Sequence, residues 1–175
     1  MTIVFVSNFI NHHQSLWSDE LFKVLLGHYY FVETQKMYDW LKSGGYDDFS
    51  SRPYVLQAWK DDASKKKAEE LCVNADVAIF GADSLDYQIM RTKTGKLSFE
   101  ASERWLKKGI LNLLSPRLLR NMWYYHTLFR KKPVYKLCSS AYAAGDQYKM
   151  FSFKDRCYKW GYFPETKKYN IDELI

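Results

Sequence analysis

One short segment of the chain concentrates side chains that bind hydroxyl groups, bind anions or transfer protons. It runs from residue 7 to residue 14 and ends where Ser15 can begin a helix. Its candidate binding residues are Ser7, Asn8, Asn11, His12 and His13. Polar groups beside a helix amino terminus are well placed for sugar hydroxyls or an anion, and a histidine can act there as a general base or donate to a phosphate. The side chains of neighbouring histidines diverge, so this pair does not have the spacing of a metal site.

A structural explanation of the same segment is equally simple. Asparagine side chains commonly accept hydrogen bonds from backbone N–H groups near the start of a helix, and both histidines can face water. The sequence leaves the binding and structural interpretations open.

A second candidate segment lies late in the chain. Residues 139–146 read as a strand end, a turn of small residues and a helix start, an arrangement that lets a ligand approach the backbone closely. Ser139, Tyr142 and Asp146 are its candidate binding residues, and Gly81, which follows another apolar run, joins them. The alternative is ordinary helix packing with Ser140 as the cap.

Basic residues flank an apolar and aromatic stretch in the second half of the chain. This pattern is typical of a surface that contacts an anionic membrane, although lysines on the outside of a core helix give the same pattern. The candidates for membrane contact are Lys107, Lys108, Arg117, Arg120, Lys131 and Lys132.

The order of apolar runs and helical stripes predicts an α/β fold. Strands are expected near residues 3–6, 29–32, 54–58, 76–80, 96–100, 134–138 and 158–160, with a long loop over residues 36–52. Helices are expected from Ser15, from Asp61 or Asp62, over residues 85–90, from Ser115 to about residue 132, and from about Ala141. The prediction is a Rossmann-like open, mostly parallel, twisted sheet of six or seven strands with helices on both faces. Ligands bind beyond the carboxyl ends of such strands. The candidate binding residues of the first loop, Gly81 and those of residues 139–146 would meet there.

Composition narrows the class of protein without choosing a partner. The chain has 175 residues, 18% of them aromatic, and a formal net charge of +6, which suits a nucleic acid, a membrane or a phosphate-bearing molecule. Three scattered cysteines and the lack of a CxxC pair argue against disulfides and zinc. The amino terminus lacks the features of a signal peptide, so a cytoplasmic location is predicted, with peripheral contact to the inner face of the membrane as an extension. Neither GxGxxG nor a P-loop motif is present.

Five segments, in this order along nearly the whole chain, resemble one protein family. They are Val-Ser-Asn-Phe-Ile-Asn-His-His-Gln (residues 6–14), Ser-Glu-Arg (102–104), Leu-Leu-Ser-Pro-Arg (113–117), Ser-Ser-Ala-Tyr (139–142) and Lys-Trp-Gly-Tyr-Phe-Pro-Glu (159–165). Together they resemble the bacterial retaining glycosyltransferases of the family 4-like group, which assemble capsule, exopolysaccharide and lipopolysaccharide.

The resemblance implies a two-lobed GT-B architecture of which this chain is the amino-terminal, acceptor-side lobe. Residues 1–164 would form that lobe, and residues 165–175 would begin the interlobe linker. The partners implied are a carboxyl-terminal lobe and a saccharide or lipid-linked saccharide acceptor. The lobe itself would bind no cofactor and no metal, and the nucleotide-sugar donor would bind in the full enzyme. The lobe alone would then be inactive.

Two departures from the family pattern matter. The first loop lacks a Gly-Gly pair, and Asn8, Asn11, His12 and His13 occupy it instead. Glu165 and Glu173 have the Glu-x7-Glu spacing of the family's donor site, but no strand or glycine-rich turn precedes them, so the spacing is interpreted as coincidence. The alternative functions are a basic, aromatic-rich nucleic-acid-binding module and a peripheral membrane-binding module, both without catalysis. Nucleic acid is the less favoured partner.

Overall fold

Short apolar runs form the strands of one sheet. In the computed structural model, which describes residues 1–163, seven parallel strands are joined in the order β3-β2-β1-β4-β5-β6-β7. The strands are β1 (Ile3–Ser7), β2 (Tyr29–Glu33), β3 (Val55–Gln57), β4 (Val77–Phe80), β5 (Ser98–Ser102), β6 (Val134–Cys138) and β7 (Cys157–Lys159). The predicted α/β class and the Rossmann-like, parallel open sheet are therefore confirmed.

Six α-helices connect these strands within the described residues. They are α1 (Ser15–Val24), α2 (Asp39–Ser43), α3 (Asp62–Asn74), α4 (Leu85–Lys93), α5 (Pro116–Tyr124) and α6 (Ala143–Lys149). A 3-10 helix covers Ile110–Leu114, and a π-helical turn, Tyr125–Phe129, continues α5. Asp61 caps α3 by accepting a hydrogen bond from the Ser64 N–H at 2.7 Å. Gly27 ends the turn after α1 at a φ of 85°.

Alternating side chains of the central strands fill two hydrophobic layers. Val4 and Val6 pack with Ala68 and Cys72 of α3 on one face of the sheet. Phe5 points to the other face, where Trp17 and Leu21 of α1 cover it. Full burial of such side chains stabilises the fold by about 1.5–3 kcal/mol each, so the strands must be flanked by helices on both faces.

Arg91 is a fully buried residue of α4 that fastens the amino edge of the sheet. Its guanidinium donates to the carbonyls of Cys72, Val73 and Ala75 at the end of α3, at 2.6–3.0 Å. It also reaches the carbonyls of Asp76 and Leu97 beside β4 and β5. Burial lowers the pKa of Arg91 from its usual value, and the five carbonyls compensate for the lost hydration.

Three details of the predicted elements are wrong. The segment at residues 36–52 contains the short helix α2. Helix α1 begins at Ser15, but Ser15 is not its cap as the sequence predicts, because Gln14 is the N-cap residue and no side chain caps that end. The expected strand at residues 96–100 lies at 98–102, because β5 takes its register from β4 and β6.

The sequence pattern predicts that the apolar side of the long helix is formed by Leu118, Leu119, Met122, His126 and Phe129, and this prediction is wrong for two of them. Leu118, Tyr125 and Phe129 are buried, whereas Leu119 and His126 are exposed. Positions four and seven residues apart share a helix face, and Leu119 lies about 100° around from Leu118. The predicted linker at residues 165–175 lies outside the described part of the chain, as does residue 164. Within residues 1–163, no helix has both the length and the apolar run needed to cross a bilayer.

Candidate functional site

A cavity of about 860 Å³ lies along the carboxyl edge of the sheet. The ends of β1, β4 and β5 form its floor, α4 and α5 contribute one side, and residues after β7 contribute the other. Six of the candidate binding residues line it, namely Ser7, Asn8, Asn11, His13, Gly81 and Ser139. Three distant segments therefore meet at one place, as the rule for parallel sheets predicts.

Three other candidates do not line the cavity. His12 is exposed beside it, and Tyr142 is 69% exposed on the outside of the turn before α6. Asp146 is buried, and its carboxylate accepts hydrogen bonds from Arg104 Nε and Nη2, each at 3.1 Å. It also accepts from the Leu106 N–H at 3.1 Å, so Asp146 fixes the loop after β5 to α6 and is not free to bind a ligand.

Gly81 allows the ends of β1 and β4 to lie close together at the floor of the cavity. A Cβ atom at this position would lie 2.6 Å from Ser7 Oγ and 3.0 Å from Ser7 Cβ. The Ser7 hydroxyl donates to Asn8 Oδ1 at 3.0 Å, and the Ser84 hydroxyl donates to the Gly81 carbonyl at 2.8 Å. Glycine is thus required for close packing of two strand ends rather than for an unusual backbone angle.

A buried carboxylate, Glu33, supports the loop after β1 from behind. Its Oε1 accepts from the Ile10 N–H at 3.1 Å and from the Ser50 hydroxyl at 3.1 Å. Burial raises the pKa of Glu33, although these hydrogen bonds and one from Gln57 act in the opposite direction. Sequence analysis did not select Glu33, because a single Glu at a strand end carries no signal of burial.

Asn11 has a structural role in the same loop. Its Oδ1 accepts from the His13 N–H at 2.9 Å, and its own N–H donates to Gln14 Oε1 at 3.2 Å. Asn11 thus accepts a hydrogen bond from the backbone, and His12 is exposed, both as the structural interpretation of the segment expects. Asn11 still lines the cavity, so its bond to the loop backbone does not remove it from the site.

Aromatic rings enclose His13 at the mouth of the cavity. The ring centroids of His13 and Tyr162 are 4.4 Å apart, and those of His13 and His12 are 3.9 Å apart. Burial, and then the nearby His12, lower the pKa of His13, so the neutral imidazole is favoured. The Nδ1 atom of His13 is buried and has no hydrogen-bond partner among the described residues.

Two carboxylates on the cavity wall already have partners. Glu100 pairs with Lys136, a fully buried residue that lies directly opposite it in the register of β5 and β6. The Lys136 ammonium also lies 4.4 Å from the ring centroid of Trp105. Glu103 pairs with Lys107 and accepts a hydrogen bond from the Tyr162 hydroxyl. Sequence reasoning missed the Glu100–Lys136 pair, since only the strand register shows it.

Four of the six basic residues predicted for membrane contact line this cavity. They are Lys107, Lys108, Arg117 and Arg120. Lys131 and Lys132 are exposed beyond the π-helical turn and do not line it. The lining of the cavity therefore contains three kinds of group. Amides, carboxylates and aromatic rings lie on its floor and at its mouth, and cations lie on one wall. Among residues 1–163, no three His, Cys, Asp or Glu side chains come together as a metal site requires.

Comparison of the chain with protein-family models, with curated proteins and with solved structures found no match to any of them.

Proposed function

We propose that this chain is the acceptor-binding lobe of a retaining glycosyltransferase. The lobe would hold a saccharide acceptor while a second lobe presents a nucleotide-activated sugar. The observation that carries the proposal is the composition of the cavity at the carboxyl edge of the sheet. It joins hydrogen-bonding side chains from separate strand ends to two half-buried aromatic rings and one exposed ring in one open space.

The lining has the chemistry that carbohydrate recognition requires. Asn8, Ser139 and Gln88 offer donors and acceptors for hydroxyl groups, and Trp17, Trp160 and Tyr162 offer ring faces and edges for the apolar side of a sugar. The resemblance of five sequence segments to the glycosyltransferases supplies the reaction class. The neutral imidazole favoured at His13 can accept or donate a hydrogen bond at an acceptor hydroxyl.

A lipid-linked acceptor at an anionic membrane fits the same wall. Next to the basic residues, the 3-10 helix exposes Ile110, Leu111 and Leu114 at 69%, 77% and 76%. An exposed apolar turn beside cations suits the interface of an anionic bilayer. The proposal therefore places the lobe at the inner face of the membrane, with peripheral contact. The exposed apolar turn beside cations is also the observation that favours the alternative of a membrane-binding module without catalysis.

The direct test compares two neighbouring histidines. We expect ligand-observed NMR to detect binding of methyl glycosides and short oligosaccharides to the 175-residue chain at millimolar concentration. His13→Ala, inside the cavity, should weaken that binding at least about fivefold, since one lost hydrogen bond and ring contact is worth about 1 kcal/mol. His12→Ala is the matched control, and it should change the affinity less than about twofold.

The enzymatic arm uses the natural gene product that contains this chain. It should transfer labelled sugar from a nucleotide-sugar to a lipid-linked saccharide, and His13→Ala should lower the rate more than His12→Ala does. Absence of saccharide binding and of transfer in the unmutated protein would refute the proposal. Saccharide binding that both histidine variants reduce equally would refute the cavity as the acceptor site.

A further inference from the structure

Three cations on the cavity wall have no carboxylate partner within the described part of the chain. Lys108, Arg117 and Arg120 make no ion pair there, whereas the neighbouring Lys107 is paired with Glu103. Arg117 and Arg120 are three residues apart on α5 and so lie on one side of that helix. Both guanidinium groups thus line the same cavity, and no carboxylate of the described residues neutralises their charge.

The start of α5 adds backbone donors to the same wall. Ser115 and Arg117 line the cavity, Pro116 occupies the first turn, and that turn contains no acidic residue. The free N–H groups and the dipole of a nine-residue helix favour an anion at this end. Because no carboxylate lies in this first turn, no side chain of α5 itself neutralises its positive end.

A buried amide provides an independent sign of a ligand. Gln88 of α4 is 4% exposed and lines the cavity, yet its Nε2 finds no hydrogen-bond acceptor among the described residues. Leu85 and Ile89 of α4 pack against the hydrophobic cluster that contains Leu118 of α5, and Gln88 and the three cations line the same cavity. A buried amide donor without an acceptor costs about 1–3 kcal/mol, which an oxygen-bearing ligand would recover.

Two of the four carboxylates that line the cavity do not cancel this charge, because they already have internal partners. Glu100 is paired with Lys136, and Glu103 is paired with Lys107. The other two, Asp83 and Asp86, also line a second cavity of about 340 Å³ beside Thr34 and Trp59, and neither is paired with Lys108, Arg117 or Arg120.

We infer that the wall formed by Lys108, Arg117, Arg120 and the start of α5 binds a phosphate or pyrophosphate group of the ligand, with Gln88 donating to one of its oxygens. The inference rests on the proposed function in one respect, because it takes the bound molecule to be a phosphorylated saccharide acceptor. Two sources share this chemistry, namely a phosphate on a soluble sugar and the headgroup or linkage phosphate of a lipid. Guanidinium groups are suited to either, since they can hold two phosphate oxygens at once.

The experiment titrates inorganic pyrophosphate into the 175-residue chain by isothermal titration calorimetry. The test variant is Lys108→Gln/Arg117→Gln/Arg120→Gln. The matched control is Arg130→Gln/Lys131→Gln/Lys132→Gln, which removes the same charge from exposed residues outside the cavity. We expect the test variant to bind at least about tenfold more weakly and the control to change less than about twofold. Gln88→Leu should weaken binding in the same direction.

Sedimentation with vesicles separates the two sources. If the ligand phosphate belongs to a lipid, vesicles containing phosphatidylglycerol should retain the chain, and soluble pyrophosphate should release it. If it belongs to a soluble sugar, pyrophosphate should bind while the vesicles do not compete for it. Equal loss of pyrophosphate binding in both triple variants would overturn the inference, because diffuse positive charge would then explain the binding. Absence of pyrophosphate binding by the unmutated chain would also overturn it.

Folding and function are checked independently of this result. All three residues of the test variant are exposed, so its circular dichroism and unfolding midpoint should match those of the control. Pyrophosphate binding without any saccharide binding would retain the anion site and refute the proposed acceptor function. Saccharide binding without pyrophosphate binding would support the proposed acceptor function and refute the anion site.

Discussion

At the residue scale, the floor of the cavity depends on a glycine, Gly81, which has no Cβ atom. Gly81 lets the end of β4 approach Ser7 at the end of β1, and Ser7 is buried there. A backbone this close leaves no room for a methyl group unless the strand ends separate. The same separation would change the shape of the cavity floor, so a stability measurement reports on the site.

Gly81→Ala should destabilise the protein by about 1–3 kcal/mol, because the new Cβ would overlap Ser7 Oγ at 2.6 Å. The check is urea unfolding at constant pH. Gly145→Ala is the control, since no atom lies within 4 Å of its added Cβ in α6. Alanine there should stabilise by about 0.5–1 kcal/mol. Equal effects of the two variants would show that the contact at Gly81 has been misjudged.

Residues at strand ends were predictable because chain order and the parallel-sheet rule suffice to locate them. Ser7, Asn8, His13 and Ser139 were selected in this way and share the cavity. Side chains whose partners come from another strand were not predictable. Lys136 looks like one more surface lysine until the register of β5 and β6 places Glu100 opposite it.

At the element scale, the loop between β1 and α1 depends on the end of β2. Glu33 holds the Ile10 N–H from inside the protein, and burial raises its pKa. The folded state therefore binds the Glu33 proton more tightly than the unfolded state does. Its contribution to stability is fully present below the ordinary Glu pKa of about 4.3 and is lost as pH rises through the folded pKa.

Glu33→Gln removes this titration while leaving an acceptor for Ile10. We expect the free energy of unfolding of the variant, relative to the unmutated chain, to increase as pH rises from about 4 towards neutrality. Urea unfolding of both proteins across that range measures the difference. A difference that stays constant or decreases with pH would show that Glu33 ionises without cost in the folded protein.

The 3-10 helix supplies a test of membrane contact. Leu111→Ser/Leu114→Ser should reduce binding to vesicles of mixed phosphatidylcholine and phosphatidylglycerol at least about tenfold, because two exposed leucines would no longer enter the interface. Val24→Ser/Leu26→Ser is the control, since these side chains are 73% and 87% exposed at the opposite edge of the sheet. Neither variant should change the unfolding midpoint appreciably. Undiminished binding of the first variant would argue against this turn as the contact.

Periodicity predicted the main elements but not where they are interrupted. The apolar run at Ile3–Val6 and the stripe of α1 are strong, local signals. The end of α5 at Tyr124 is different, because the π-helical turn that follows buries Tyr125 and Phe129 against Phe153 and Met150, which lie far along the chain. Tertiary packing of this kind has no sequence-local counterpart.

At the scale of the whole molecule, the strand order predicts unequal local stability. Strands β1 and β4 lie inside the sheet and are buried on both faces, whereas the edge strands β3 and β7 have three residues each and contain no fully buried residue. Amide hydrogen exchange should be at least about a hundredfold slower in β1 and β4 than in β3 and β7. Mass spectrometry of peptic peptides measures this. Equal protection across the sheet would contradict the stability order.

The cavity draws its walls from almost the entire described chain, beginning at Phe5 and ending at Tyr162. A ribosome therefore releases the floor at β1 early and the wall after β7 late. A nascent chain that has reached only β4 exposes Asn8 and Gly81 without the rings of Trp160 and Tyr162 to enclose a ligand. The ability to bind a ligand consequently arises late in translation. A premature stop before residue 160 yields a polypeptide that lacks the aromatic side of the cavity.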